Sequence, residues 1–195
     1  MIYGEAGLNL ATFYQGAGDN TRLTGLGNIT RPEFSLYVKA KYPTLMGFDA
    51  GVSFSQQGSN AKDSISAVAV FGDSLISKAV LNYGYVFADG IYYFELQGDN
   101  SITAGAGLYL GYLMNGDRLV GDDKRKLILD DWKRFDFGLQ LKTAFNIHDL
   151  ISLGVQYRIA FIPTVNGIDI KGSPNNLRNS VLNLSVGVRL FQKIK

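Results

Sequence analysis

A chain of 195 residues with 18% charged side chains, 12% aromatics, 23 glycines and four prolines is long enough for one domain or one small membrane barrel, and it is poorer in charge than a soluble surface normally is. Nineteen Lys and Arg against 17 Asp and Glu leave a net charge of +2, which gives no reason to expect a nucleic-acid partner. The absence of cysteine excludes disulfides, thiol catalysis and Cys-ligated metal centres. The longest uncharged stretch, Asn100 to Gly116, contains Gly105, Gly107 and Gly111 and is too short for a spanning helix. No secretory leader is visible at Met1-Ile2-Tyr3-Gly4, so export implies a leader already removed.

Period-two alternation dominates the chain and predicts eight strands. The first, 2–14, sets Ile2, Ala6, Leu8 and Leu10 against Tyr3, Glu5 and Asn9; the second, 34–42, sets Phe34, Leu36 and Val38 against Ser35, Lys39 and Lys41; the third, 48–56, sets Phe48, Val52 and Phe54 against Asp49 and Ser53. A short fourth run, 92–96, alternates Tyr92, Phe94 and Leu96 with Tyr93 and Glu95, and the fifth, 102–114, alternates Ile102, Leu108 and Leu110 with Thr103, Gly107 and Gly111. The last three are 134–145, with Phe135, Phe137, Leu139 and Leu141 against Arg134, Asp136 and Lys142; 151–161, with Leu153, Val155 and Tyr157 against Gln156 and Arg158; and 182–190, with Leu184, Val186 and Val188 against Asn183 and Arg189. Connections alternate short and long, so an antiparallel meander places every short turn at one end and every long loop at the other. The longest, 57–91, is expected as an extracellular loop with a β-hairpin extension formed by Ser66–Phe71 and Ala79–Phe87.

Across the eight runs no apolar-face position is charged, whereas the opposite face carries ten charges: Glu5, Lys39, Lys41, Asp49, Glu95, Arg134, Asp136, Lys142, Arg158 and Arg189. Ten charges are too few for a water-exposed barrel surface. Glycines interspersed with Tyr and Arg on that same face suit a cramped interior. Runs of 11 to 13 residues at about 3.3 Å per residue and a tilt of roughly 40° match a hydrocarbon layer about 30 Å thick. Apolar-face aromatics gather near the run ends as two girdles, Tyr14, Phe34, Phe54, Tyr92, Tyr112, Phe135 and Phe161 at the long-loop end, with Tyr42, Phe48 and Phe145 at the turn end. The expectation is an all-β, eight-stranded antiparallel up-and-down transmembrane barrel forming a single domain over 1–195. Its apolar face is outward, its short turns are periplasmic, its long loops are extracellular, and the ten charges form a lumenal network of ion pairs.

Gly107-Leu108-Tyr109-Leu110-Gly111-Tyr112-Leu113, Phe135-Asp136-Phe137-Gly138-Leu139, Leu153-Gly154-Val155-Gln156-Tyr157-Arg158 and the closing Leu184 to Phe191 resemble the PorT-like outer-membrane β-barrel family of Bacteroidetes. Tyr93-Phe94-Glu95-Leu96-Gln97 is similar to that family's Tyr-Leu-Glu-Ile-Pro strand, with Gln97 in place of the proline. The resemblance implies an OmpX- or OmpA-like barrel in a Gram-negative outer membrane and a role in secretion or surface assembly, with no substrate specified.

Candidate chemistry is sparse. Ala67 to Leu75 resembles the nucleophile block of GDSL-type esterases, with Ser74 as the nucleophile, but the required Asp-x-x-His is missing: the one histidine, His148, has Phe145 three residues before it. His148 lies in a short turn and reads as a solvated turn residue rather than a metal ligand. Asp122-Asp123-Lys124-Arg125-Lys126 with Asp130-Asp131 reads as a solvated charged loop ahead of a calcium or lipopolysaccharide contact. The chain is therefore expected to be a non-catalytic membrane-anchored scaffold or binding protein without metal or cofactor. Its expected partners are outer-membrane lipid and lipopolysaccharide, and a protein or polysaccharide at the loops. The competing readings are a lipid esterase using Ser74, a soluble lipocalin-like carrier with the apolar face inward, and a narrow pore.

Overall fold

The structure, a computed structural model, describes residues 1–15, 26–62, 76–120, 123–126, 132–168 and 174–192. Eight long strands make the barrel: β1 (Ile2–Gln15), β3 (Ile29–Lys41), β4 (Met46–Ala61), β5 (Ile76–Glu95), β6 (Ser101–Val120), β8 (Phe135–Ile147), β9 (Ile151–Ala160) and β11 (Pro174–Phe191). Each pairs antiparallel with the next, and β1 pairs with β11 from Ile2↔Phe191 to Gln15↔Leu177, so the sheet closes. Three short strands, β2 (Leu26–Gly27), β7 (Asp123–Lys126) and β10 (Val165–Ile168), add to β4, β6 and β11 at the long-loop end. No helix occurs among the described residues.

The short turns, gathered at one end by the antiparallel meander, use residues in the left-handed conformations that tight hairpins require. In the β8–β9 turn His148 and Asp149 have φ of 49° and 52°, and the Leu150 amide donates to the Ile147 carbonyl at 2.9 Å. That is the geometry of a two-residue type I′ hairpin. His148 is thus an exposed turn residue.

Side-chain alternation along the strands sorts outside from inside. Leu8, Phe34, Val52, Val86, Leu108, Phe135, Val155 and Leu184 are exposed on the outer face, while Tyr3, Asp49, Asp89, Gln140 and Arg158 are buried within. A continuous apolar belt of this extent is far larger than a protein surface keeps in water, and hydrocarbon is the solvent it suits. The lipocalin-like carrier is overturned by the same observation, since the apolar side chains line the exterior. Glycine on the inner face permits close approach: a Cβ on Gly107 would collide with the Ala88 carbonyl oxygen and the Asp89 carboxylate.

Residues 57–91, expected as a single loop, are largely strand. β4 continues to Ala61, and β5 begins at Ile76 and pairs with β6 from Ile76↔Val120 to Glu95↔Ser101. The period-two signal fails there because both faces of Tyr83 to Tyr93 are rich in aromatic and small residues, and a register shift at Ile76/Lys78 inserts Ser77 into β5. The expected strand Ala79–Phe87 exists, but it is part of the barrel strand β5; Ser66–Phe71 and Ser74 lie outside the described residues. The true length of β5 also moves Tyr92 to the turn end, where it stacks edge-on with Phe94 at 4.9 Å. The long-loop girdle retains Phe34 opposite Phe54 and Tyr112 against Phe135 at 5.5 Å. Twenty residues in each of β5 and β6 rise about 50 Å at roughly 40° tilt, about 20 Å more than a hydrocarbon core. These strands therefore project well past the belt.

Leu184, paired with Leu8 and Val155 in mid-strand, is the place to test the outward face. Leu184→Arg is expected to lower stability by about 2–4 kcal/mol in a bilayer, measured by urea unfolding of the lipid-reconstituted protein. An unchanged midpoint would place that residue outside the apolar layer.

Candidate functional site

Inside the barrel the polar side chains form layers. Nearest the turns, Lys142 Nζ lies 3.4 Å from Glu5 Oε2 and 3.7 Å from Asp49 Oδ2, and 4.2 Å from the centre of the Tyr37 ring. The Tyr37 hydroxyl donates to the same Glu5 oxygen at 3.2 Å. Lys39 donates to Asn146 Oδ1 at 3.3 Å and sits 4.6 Å over the Tyr3 ring. Burial of these ammonium groups is offset by carboxylates, amide oxygens and ring faces together.

The middle layer is held by Gln140, which donates to Asp89 Oδ2 at 2.7 Å, and by a buried ion pair between Arg158 and Glu33. The Arg158 guanidinium also lies 4.7 Å over the Tyr85 ring. Asn9 donates to Ser55 of β4 and accepts from its cross-strand partner Asn183 of β11, each at 2.8 Å. Above this, Asp136 accepts from Tyr85 at 3.0 Å, Tyr109 at 3.2 Å and Asn179 at 3.0 Å.

Of the ten charges expected in the lumen, Glu5, Lys39, Asp49, Asp136, Lys142 and Arg158 are buried there. The other four are not. Lys41 and Glu95 pair at 2.8 Å on the turn-end rim, where both are partly exposed. Arg189 is half-buried beside that rim. Arg134 precedes the first residue of β8, is exposed, and donates to the girdle hydroxyl of Tyr112 at 3.3 Å. The physical reason is common to all four: alternation continues past the point at which the barrel wall still encloses a side chain.

Two buried carboxylates, Glu33 and Asp89, are missing from the sequence-based set. Glu33 follows Pro32, which reads as a loop residue although β3 already starts at Ile29. The parity of Glu33, Ser35 and Tyr37 is the signal that points it inward. Asp89 lies in the stretch expected to be a loop.

The long-loop end of the lumen is apolar. Phe13, Leu81, Leu113, Trp132 and Leu177 form a buried cluster above the Tyr83, Tyr85 and Tyr109 layer, and Ala11, Ile29 and Val181 form a second one with Val80 packed on it. Trp132 meets Phe13 at 5.9 Å between ring centres. Its segment is pinned by the Lys133 amide donating to the Thr164 carbonyl at 3.0 Å and the Leu113 amide donating to the Arg134 carbonyl at 2.6 Å. A lone tryptophan between charged residues gave the sequence reading no period to detect.

No group of three or more His, Asp or Glu side chains among the described residues is arranged to hold a metal ion.

No protein-family model matches this sequence, and the comparison with curated proteins found no similar one. Among solved structures the chain is similar in fold to the neisserial surface protein A, NspA, with 15% identity and a TM-score of 0.50 over 97% of each chain. It also matches the attachment invasion locus protein Ail of Yersinia pestis, with 12% identity and a TM-score of 0.45 over 96% of each. The N-terminal β-barrel domain of OprF from Pseudomonas aeruginosa matches with 8% identity and a TM-score of 0.40, over 94% of this chain and 96% of that one.

Two measurements check the interior. Glu33→Ala, which strands the Arg158 charge, is expected to cost about 3–5 kcal/mol, whereas Glu95→Ala at the rim should cost at most about 1 kcal/mol, both from urea unfolding in detergent micelles. Trp132 is the single tryptophan of the chain, so its emission should be blue-shifted and resistant to acrylamide quenching in the folded barrel. Free quenching in the folded state would contradict a sealed mouth.

Proposed function

We propose that this chain is a non-catalytic integral protein of a Gram-negative outer membrane, anchored by its apolar belt and acting through the strands and loops beyond its long-loop end. The observation that carries this reading is the opposite sense of the two parts. The barrel wall is apolar outside and polar inside, while the projecting part has a buried apolar centre, as a water-exposed structure needs. A rigid platform of paired strands β4, β5, β6 and β7 standing above a membrane anchor is suited to holding a partner, whether lipopolysaccharide, a protein or a surface polysaccharide.

The likeness of its strand motifs to the PorT-like barrels of Bacteroidetes favours an accessory role in secretion or surface assembly. Conduction is disfavoured because an eight-stranded barrel is only wide enough for its own side chains, and this lumen carries an ion pair at mid-height and an apolar closure at its mouth.

Fractionation of native cells should find the protein with outer-membrane markers, and unheated samples should migrate differently from boiled ones on gels. The same preparation in planar bilayers should give no discrete conductance steps. A monodisperse, detergent-free protein in the soluble fraction would overturn the membrane anchor, and regular single-channel steps would overturn the scaffold in favour of a pore.

A further inference from the structure

Beyond the belt, a cleft of about 220 Å³ opens between β3, β5, β6 and β7, lined by Arg31, Lys78, Val80, Arg118, Leu119, Lys124 and the carboxylate of Asp117. Four cations converge there against one acid among the described residues. Asp117 is already engaged by Lys124 at 2.9 Å, so its charge compensates one cation and leaves the other three. The guanidinium Nε atoms of Arg31 and Arg118 are buried and make no hydrogen bond to the described protein. Buried donors of this kind are costly to leave unsatisfied. Burial also draws Lys78 below the ordinary lysine value, with the neighbouring Arg31 charge adding to the shift. Such crowding of like charge is destabilising by itself and is relieved by a bound anion.

Height above the membrane narrows the anion. Lys78 and Val80 lie four to six residues beyond Gly84, which pairs with the girdle residues Phe54 and Tyr112. That is a rise of roughly 10–15 Å at strand spacing and barrel tilt, a level just outside the hydrocarbon. Val80 and Leu119 provide apolar floor suited to the face of a sugar ring.

We propose that this cleft binds a phosphate-bearing saccharide, of the kind carried by the inner part of lipopolysaccharide. The proposal rests on the membrane-anchored reading above and names the ligand class of that same extracellular platform. Arg31 and Arg118 supply planar donors that match phosphate oxygens two at a time, and Lys78 and Lys124 supply point charges around them.

The test uses the full chain refolded in detergent micelles, with binding followed by calorimetry at low salt. Intact lipopolysaccharide and its delipidated, still phosphorylated core oligosaccharide should both bind, and raised salt should weaken both. Enzymatically dephosphorylated samples of each should bind at least about tenfold more weakly, the loss expected when charge-assisted hydrogen bonds go. Lys78→Gln combined with Arg118→Gln should produce a similar loss while leaving heat-modifiable migration unchanged. If only the intact lipid binds, and dephosphorylation still abolishes it, the saccharide phosphate is read in place on the membrane. Equal binding of phosphorylated and dephosphorylated samples, or full binding by the folded double variant, overturns the cleft as a phosphate site. Failure of the membrane anchor is read separately, from fractionation and detergent dependence of the unmutated chain.

Discussion

Backbone hydrogen bonding is the constraint on which the rest of this molecule depends. A strand facing hydrocarbon cannot leave its N–H and C=O groups unpaired, because each would cost several kcal/mol with no water to accept or donate. The continuous pairing of β1 with β11 along fourteen residues of β1 removes the sheet's two edges together. Once the ring is closed, strand number sets its width, and the width leaves room inside only for side chains. The lumenal chemistry follows from that confinement.

Confinement makes charge both necessary and expensive. Five carboxylates, Glu5, Glu33, Asp49, Asp89 and Asp136, share the buried interior with three cations, Lys39, Lys142 and Arg158. The excess acid is offset without more cations: three neutral donors converge on Asp136, and the Gln140 amide holds Asp89. Aromatic rings do the same for the bases, with Tyr3, Tyr37 and Tyr85 presenting faces to Lys39, Lys142 and Arg158. Tyrosine serves both roles because its ring attracts cations and its hydroxyl donates to anions. The interior is thus filled by side chains of the barrel's own strands.

At the long-loop end the solvent changes, and the arrangement of polarity changes with it. Below the girdle the inward face is mostly polar, with Phe87 packed against Tyr37; above it, Phe13, Leu113 and Trp132 turn inward and exclude water. The bulge opposite Asn82 and Tyr83, with Met114 as the extra residue, lies at this transition and breaks the alternation of β6, whose inward positions shift from Leu113 to Gly116. The short strand β7, built from Asp123–Lys126, then adds to β6 and brings Lys124 beside Asp117. A charged stretch that reads as solvated loop is thereby organised into one wall of a cation-rich cleft.

Period two and the charge-free face of eight runs were enough to determine a closed antiparallel barrel with its oil outside, because pleated strands make sidedness a local property of the residue order. Glu5, Lys39, Asp49, Asp136, Lys142 and Arg158 were legible for the same reason. Tertiary structure alone decided where enclosure ends, which leaves Lys41, Glu95, Arg134 and Arg189 outside the buried lumen and admits Glu33 and Asp89. It also decided that Trp132 caps the mouth and that Arg31, Lys78, Arg118 and Lys124 meet. Those outcomes depend on strand length, bulges and contacts between segments far apart in the chain, and a residue's neighbours in sequence carry no record of them.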